Sequence, residues 1–181
     1  MLNDKWLIFK FRHGSQHAFG QIFEKYREDL LRLALSLLQE RSSAEDIVHE
    51  VFLHLIQVRL TFRLTGSLRA YLATCVANRV RNFNRNQRQM KPIYSECVQQ
   101  KISEILSPDQ WAQCSEEFDN LRDALLQLPK AQQEVTVLHV YGKLTFKQIA
   151  LHQACSVKTV ESRYRYALHK LGILLEKQVD V

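Results

Sequence analysis

The stretch Leu144–Leu171, LTFKQIALHQACSVKTVESRYRYALHKL, leaves little freedom of form. Thr145 and Gln148 stand at the spacing at which a threonine hydroxyl and an amide three residues on satisfy free backbone N–H groups, which marks a helix start. Phe146, Ile149 and Ala150 supply that helix with a short inward stripe, and Gln153-Ala154-Cys155 breaks it. Ser156 is a suitable N-cap for a second helix, since its hydroxyl accepts from a free first-turn N–H. Val160, Tyr164, Ala167, Leu168 and Leu171 then recur at helical spacing and predict one buried face. Left outside are Lys158, Thr159, Glu161, Ser162, Arg163, Arg165, Tyr166, His169 and Lys170, most of them hydrogen-bond donors. A helix-turn-helix sets the N-terminal residues of its second helix against base edges in the major groove. Lys158, Thr159, Glu161, Ser162 and Arg165 are therefore the expected readers. An ordinary helical hairpin with a basic face fits this stretch equally well, so the rest of the chain must decide.

With 181 residues and 46% hydrophobic content, the chain has material for one large or two small domains. Only 5 Gly and 3 Pro favour helices. Cys75, Cys97, Cys114 and Cys155 lie far apart, without a C-x-x-C pair or a Cys/His cluster at metal-ligand spacing, as expected of thiols in a reducing cytoplasm. No metal and no cofactor is expected. The N-terminus carries charges through its short apolar run and has no small-residue cleavage site, so it does not read as a signal peptide. No run is apolar for long enough to span a membrane.

The net charge of +6 matters less than its layout. Residues 59–91 carry 8 Lys/Arg and no acid, residues 92–127 carry 2 against 7 acids, and residues 128–177 carry 8 against 3. Two basic blocks separated by an acidic one suggest a polyanion touched at two places.

Taken in order, Trp6–Phe11 predicts a helix ending near Gly14, followed by a second from Gln16 to Gln39 whose Phe19, Phe23, Tyr26, Leu30, Leu33, Ala34, Leu37 and Leu38 keep helical period. A third helix is expected from Ala44 to about Val58, capped by Ser43, with Asp46 in its first turn. Ile47, Val48, Val51, Phe52, Leu55 and Ile56 face inward there, leaving Asp46, His49, Glu50, Leu53 and Gln57 outside. An apolar Leu53 among acids suggests a partner surface rather than a merely solvated face. Residues 59–66 are expected to loop, placing Phe62 between Arg59 and Arg63, a combination suited to base stacking or to plugging the domain edge. Ser67 caps a fourth helix to about Gln89, burying Leu68, Leu72, Val76, Val80 and Phe83 and lining its other side with Asn78, Arg81, Asn82, Arg85 and Arg88. Such an acid-free face suits phosphate and base contacts. Residues 91–110 read as a linker containing a short amphipathic segment. Trp111, Cys114, Phe118, Leu121, Leu125 and Leu128 line a further helix up to Pro129, and Val135, Leu138, His139 and Tyr141 another, ending at Gly142. The expectation is all-α, with small helical domains at 1–90 and 111–181.

The runs SSAEDIVHEVFLHLI, SLRAYLATCVANRVRNFNR and LPKAQQEVTVLHVYGKLTFKQIALHQACSVKTVESRYRYALHKL resemble, in order and spacing, regions 2.2, 2.3 to 2.4, and 4 of the extracytoplasmic-function sigma factors. The resemblance implies a dissociable initiation subunit of bacterial RNA polymerase, a cytoplasmic protein that is not itself an enzyme. Asp46, His49, Glu50 and Leu53 would meet the clamp helices of the polymerase's largest subunit. Arg59, Phe62, Arg63, Asn78, Arg81, Asn82, Arg85 and Arg88 would bind the minus-10 element. Thr145, Lys158, Thr159, Glu161, Ser162, Arg163 and Arg165 would serve the minus-35 element. The family also admits an anti-sigma factor as partner. The chain departs from the common pattern at His49 (Gln is usual), Asn82 (Asp), Gln133 (Arg) and Ala154 (Gly). The rival classes are an enzyme, for which no catalytic constellation is present, a free-standing helix-turn-helix regulator, and a helical adaptor that leaves the acid-free block without a purpose.

Overall fold

The computed structural model describes residues 2–64, 66–89 and 116–179, and every regular element among them is a helix. The first half comprises α1 (Leu2–Arg12), α2 (Gln16–Leu35), α3 (Arg41–Gln57) and α4 (Leu68–Gln89). The second comprises α5 (Glu116–Leu126), α6 (Lys130–Val140), α7 (Phe146–His152) and α8 (Val157–Val179). Trp111, Cys114 and the expected amphipathic segment of the linker lie outside the described residues.

The chain turns between α1 and α2 at Gly14, whose φ of +93° is a left-handed conformation open to a residue without Cβ. Ser15 then caps α2 by accepting from the Ala18 N–H. Helix α2 ends at Leu35, four residues short of the expected end, where the N–H of Ser36 closes the helix by donating back to the Ala34 and Arg32 carbonyls. Helix α3 begins earlier than expected. Its N-cap is Glu40 and Ser43 makes no cap bond; the hydroxyls of Ser42 and Ser43 instead donate to the Glu40 carboxylate and hold it below the usual carboxylate range. Asp46 consequently sits beyond the first turn, where a helix N-terminus no longer favours it.

Helix α2 is the axis of the first half, packing against α1, α3 and α4, with Ile22, Leu30, Leu33, Val48, Leu55, Leu68 and Leu72 wholly buried around it. Truncating any of these leucines to alanine costs about 2–5 kcal/mol. Asp4 ties α1 down: its carboxylate accepts from Lys25 Nζ at 2.5 Å and from the Tyr26 hydroxyl at 2.8 Å. Burial pushes the Asp4 carboxyl up, but these two hydrogen bonds and the Lys25 charge outweigh it and leave it below its ordinary 3.8.

In the second half α8 is the axis, packing on α5, α6 and α7. The two halves meet where α4 packs on α6. Buried Gln133 donates to the Ser36 carbonyl at 2.8 Å, and Arg69, paired with Asp29 at 2.5 Å, reaches the Tyr141 carbonyl. Gly142 comes so close to α4 that an added Cβ would lie 2.9 Å from that of Ala73.

Candidate nucleic-acid interface

The helix-turn-helix forms as its residues require. Thr145 and Gln148 complete a capping box at the start of α7. The turn closes through Gln153 N–H to Ile149 O and Cys155 N–H to Ala150 O, with Ala154 in the left-handed region at φ 50°. Ser156 caps α8 by accepting from the Thr159 N–H at 3.1 Å. Val160, Ala167 and Leu171 are buried, and the Tyr164 ring packs on those of His139 and Phe146. Leu168, expected inside, is 47% exposed, because it lies one step around the helix from Ala167, beyond the edge of the narrow seam that α8 presents to the core.

On the outer face of α8, Lys158, Glu161 and Arg165 are exposed, the Arg165 guanidinium lying over the Tyr166 ring. Thr159 is held by the Ser156 hydroxyl at 2.9 Å, and Ser162 is half-buried. Thr145 is exposed, but its hydroxyl serves the capping box. Arg163 turns towards α7 instead, donating to Gln153 Oε1 at 2.7 Å.

On α4, Asn78, Arg81, Asn82 and Arg85 share the exposed side, with Arg81 drawn to Glu134 of α6 at 2.6 Å. Arg88 is in the same helix, outside the side chains described. In the preceding loop Arg63 is exposed and Arg59 half-buried. Phe62 is buried against Tyr71 at 4.8 Å between ring centroids, so of its two expected roles the structure displays the plug. Burial and neighbouring Cys75 push the Tyr71 phenol up to about 12. This loop and α7 flank an open cavity of about 440 Å³, lined by Arg63 and Ser67 of the loop, Tyr71 of α4, and Gln148, Leu151 and His152 of α7.

The α3 face keeps Asp46 and Glu50 exposed, His49 half-buried and Leu53 37% exposed. Sequence reading missed two features here. Ile56, expected inside, is 43% exposed on the side of Leu53, since it lies one step around α3 from wholly buried Leu55, and Leu60 in the turn that follows is 71% exposed. Arg79 of α4 forms an ion pair with Glu50. The acid-free composition of α4 was a signal that one of its arginines needed a neighbour's acid, but periodicity does not say which.

Two family models match this chain in order: Sigma-70 region 2 over residues 22–90 and Sigma-70 region 4 over residues 118–171, together more than half of the sequence. The chain is a sigma factor of the sigma-70 family. Among similar proteins, RNA polymerase sigma factor NccH of Alcaligenes xylosoxydans xylosoxydans is 25% identical, with 96% of this chain and 95% of that one covered. ECF RNA polymerase sigma factor EcfG of Rhodopseudomonas palustris is 28% identical over 84% of this chain and 86% of its own. These relatives place this sigma factor in the extracytoplasmic-function type. Its fold resembles that of CnrH, solved in complex with the cytosolic domain of CnrY, with a TM-score of 0.67, 23% identity and coverage of 97% and 98%. It also resembles RpoE of Bartonella quintana, solved with the anti-sigma factor NepR, with a TM-score of 0.58, 23% identity and coverage of 86% and 97%. In this sigma factor the region 2 match takes in α2, α3 and α4, and the region 4 match runs from α5 well into α8. No described helix is long and apolar enough to cross a membrane.

Proposed function

We infer that this sigma factor binds bacterial core RNA polymerase in the cytoplasm and directs it to a specific set of promoters, leaving polymer synthesis to the polymerase and supplying no catalytic residue of its own. The observation that carries this reading is the presence of both regions, in order, in one chain. A free-standing regulator would need only the second.

At residue level, Asp46, His49, Glu50 and Leu53 face the clamp helices of the polymerase, with Ile56 and Leu60 widening the apolar part of the contact. Arg63, Asn78, Arg81, Asn82 and Arg85 face minus-10 DNA. Arg59 and Phe62 shape the loop from within, and Arg88 extends the same helix. Lys158, Glu161 and Arg165 meet base edges of the minus-35 element, Thr159 and Ser162 flank them, and Thr145, its N–H and hydroxyl both engaged in the capping box, fixes the start of α7 beside that element. Glu161 is the one acceptor-only reader and suits a cytosine amine. The domains divide at the linker 91–110, with region 2 function in 1–90 and region 4 function in 111–181. Sigma factors of like fold are solved with CnrY and NepR, which supports an anti-sigma factor as a further partner.

Titration against purified core polymerase without DNA, followed by abortive transcription from a promoter library, tests the reading. Tight binding with new start sites is expected. Duplex recognition by the protein alone, without polymerase binding, would overturn it.

A further inference from the structure

Arg81 and Arg163 fall to two different DNA elements on the sequence reading, yet both lead to one carboxylate, Arg81 directly and Arg163 through Gln153. Glu134 Oε1 accepts from Arg81 Nη2 at 2.6 Å and from His152 Nε2 at 2.9 Å. Its Oε2 accepts from Gln153 Nε2 at 3.1 Å, and Gln153 Oε1 in turn accepts from Arg163 at 2.7 Å. The side chains of Glu134 and His152 are 18% and 6% exposed. Among the described residues Glu134 is also the only acid lining the cleft of about 620 Å³ between the halves, whose other charged walls are Arg81, Arg85, Lys130 and Arg163. Without that carboxylate, cations from the two halves would face one another across the seam.

We propose that Glu134 fastens a closed state of the free sigma factor that cannot engage both promoter elements, a proposal resting on the assignment of α4 and α8 to promoter DNA. Geometry gives the closed state its consequence. Elements named for positions 25 base pairs apart are separated by about 85 Å at 3.4 Å per pair. A compact chain of this length has a radius of gyration of about 16 Å and is roughly 40 Å across. Both elements can be met only once the halves part. Closure also holds α7 across the loop cavity and sets a carboxylate against the Arg81 guanidinium that a phosphate would otherwise take. Promoter phosphates and Glu134 compete for the same cation.

The test uses the full-length protein. Small-angle scattering of Glu134→Arg is expected to show a larger radius of gyration than wild type with unchanged helical ellipticity. The charge-swapped pair Arg81→Glu with Glu134→Arg is expected to restore the wild-type value. Binding of Glu134→Arg to a fork-junction DNA pool with randomised promoter segments is expected to tighten about tenfold, as when a closed state holding about 90% of the molecules is removed. Should Glu134→Arg fail to fold, Glu134→Gln and the swapped pair decide the matter by the same readouts. Variants that stay as compact as wild type, or that open without gaining DNA affinity while the wild-type holoenzyme initiates normally, would overturn the proposal. Loss of wild-type polymerase binding would instead overturn the sigma-factor reading, which the scattering result does not touch.

Discussion

Gly20 and Gly142 respond to the same methyl group in opposite ways. A Cβ at Gly20, on the exposed side of α2, would have nothing within 4 Å, so Gly20→Ala should raise stability by about 1 kcal/mol through helix propensity alone. At Gly142 the methyl would lie 2.6 Å from the Leu138 carbonyl oxygen and 2.8 Å from Leu144 Cδ1, and Gly142→Ala should cost about 1–3 kcal/mol through overpacking. Ala154 presents a third case, a side chain held at φ 50° in the helix-turn-helix turn. Relieving that conformation with Ala154→Gly should add about 1 kcal/mol and raise Tm by about 2–4 °C in a thermal melt. A melt in which Gly142→Ala matches wild type, or Ala154→Gly falls below it, would contradict these assignments. Among the readers, exposed Arg165 is the cleanest to test. Arg165→Ala should lose about 1–3 kcal/mol of promoter discrimination in library transcription, the range for one bidentate base contact.

At the scale of the element, α3 sets its partner face beside its own internal ion pair. Asp46→Arg should abolish core-polymerase binding in a titration while leaving the helical spectrum intact, since Asp46 is exposed and lies outside the α3–α4 ion pair. Glu50→Arg should do the same but also place a cation against Arg79, a loss of about 0–1 kcal/mol for a surface pair. Retained polymerase affinity in Asp46→Arg would remove this face from the contact. Most helices were legible in the sequence because their signals are local: the Thr145–Gln148 capping box, the Ser156 cap, and the period that buries Leu30, Val48, Leu72 and Ile149. The errors have local causes too. Ser43 looked like a cap, but Glu40 three residues earlier took its hydroxyl. Leu168 and Ile56 kept helical period but fell outside the width of the core. The contacts that bring Arg81 to Glu134, Gln133 to Ser36 and Arg79 to Glu50 were not legible, since pairing across 29 to 97 residues leaves no periodic trace.

For the whole molecule, charge sets the response to acid and to salt. Burial raises the Glu134 carboxyl, but the His152 hydrogen bond and the Arg81 charge outweigh it and hold it below its ordinary 4.5, as Asp4 is held below 3.8. Groups depressed in the folded state contribute stability that is fully present above their unfolded values and lost as pH falls through their folded ones. Urea midpoints should therefore be flat from neutral pH down to about 5 and fall below about 4, less steeply in Asp4→Asn. An unchanged slope in that variant would deny Asp4 its share. Holoenzyme affinity for promoter DNA should fall with salt on a log-log plot by about 0.9 per phosphate neutralised, and a flat plot would contradict phosphate contacts by α4 and α8. The seam between the halves also bears on protein engineering. Buried Gln133 donates to the Ser36 carbonyl, a fit that an arginine, longer and always charged, would not reproduce. A hybrid joining residues 1–90 of this chain to region 4 of a relative with arginine there would lose a matched contact between its two parents. Such chimeras, built to redirect promoter choice, would inherit each parent's DNA preferences but neither parent's resting state.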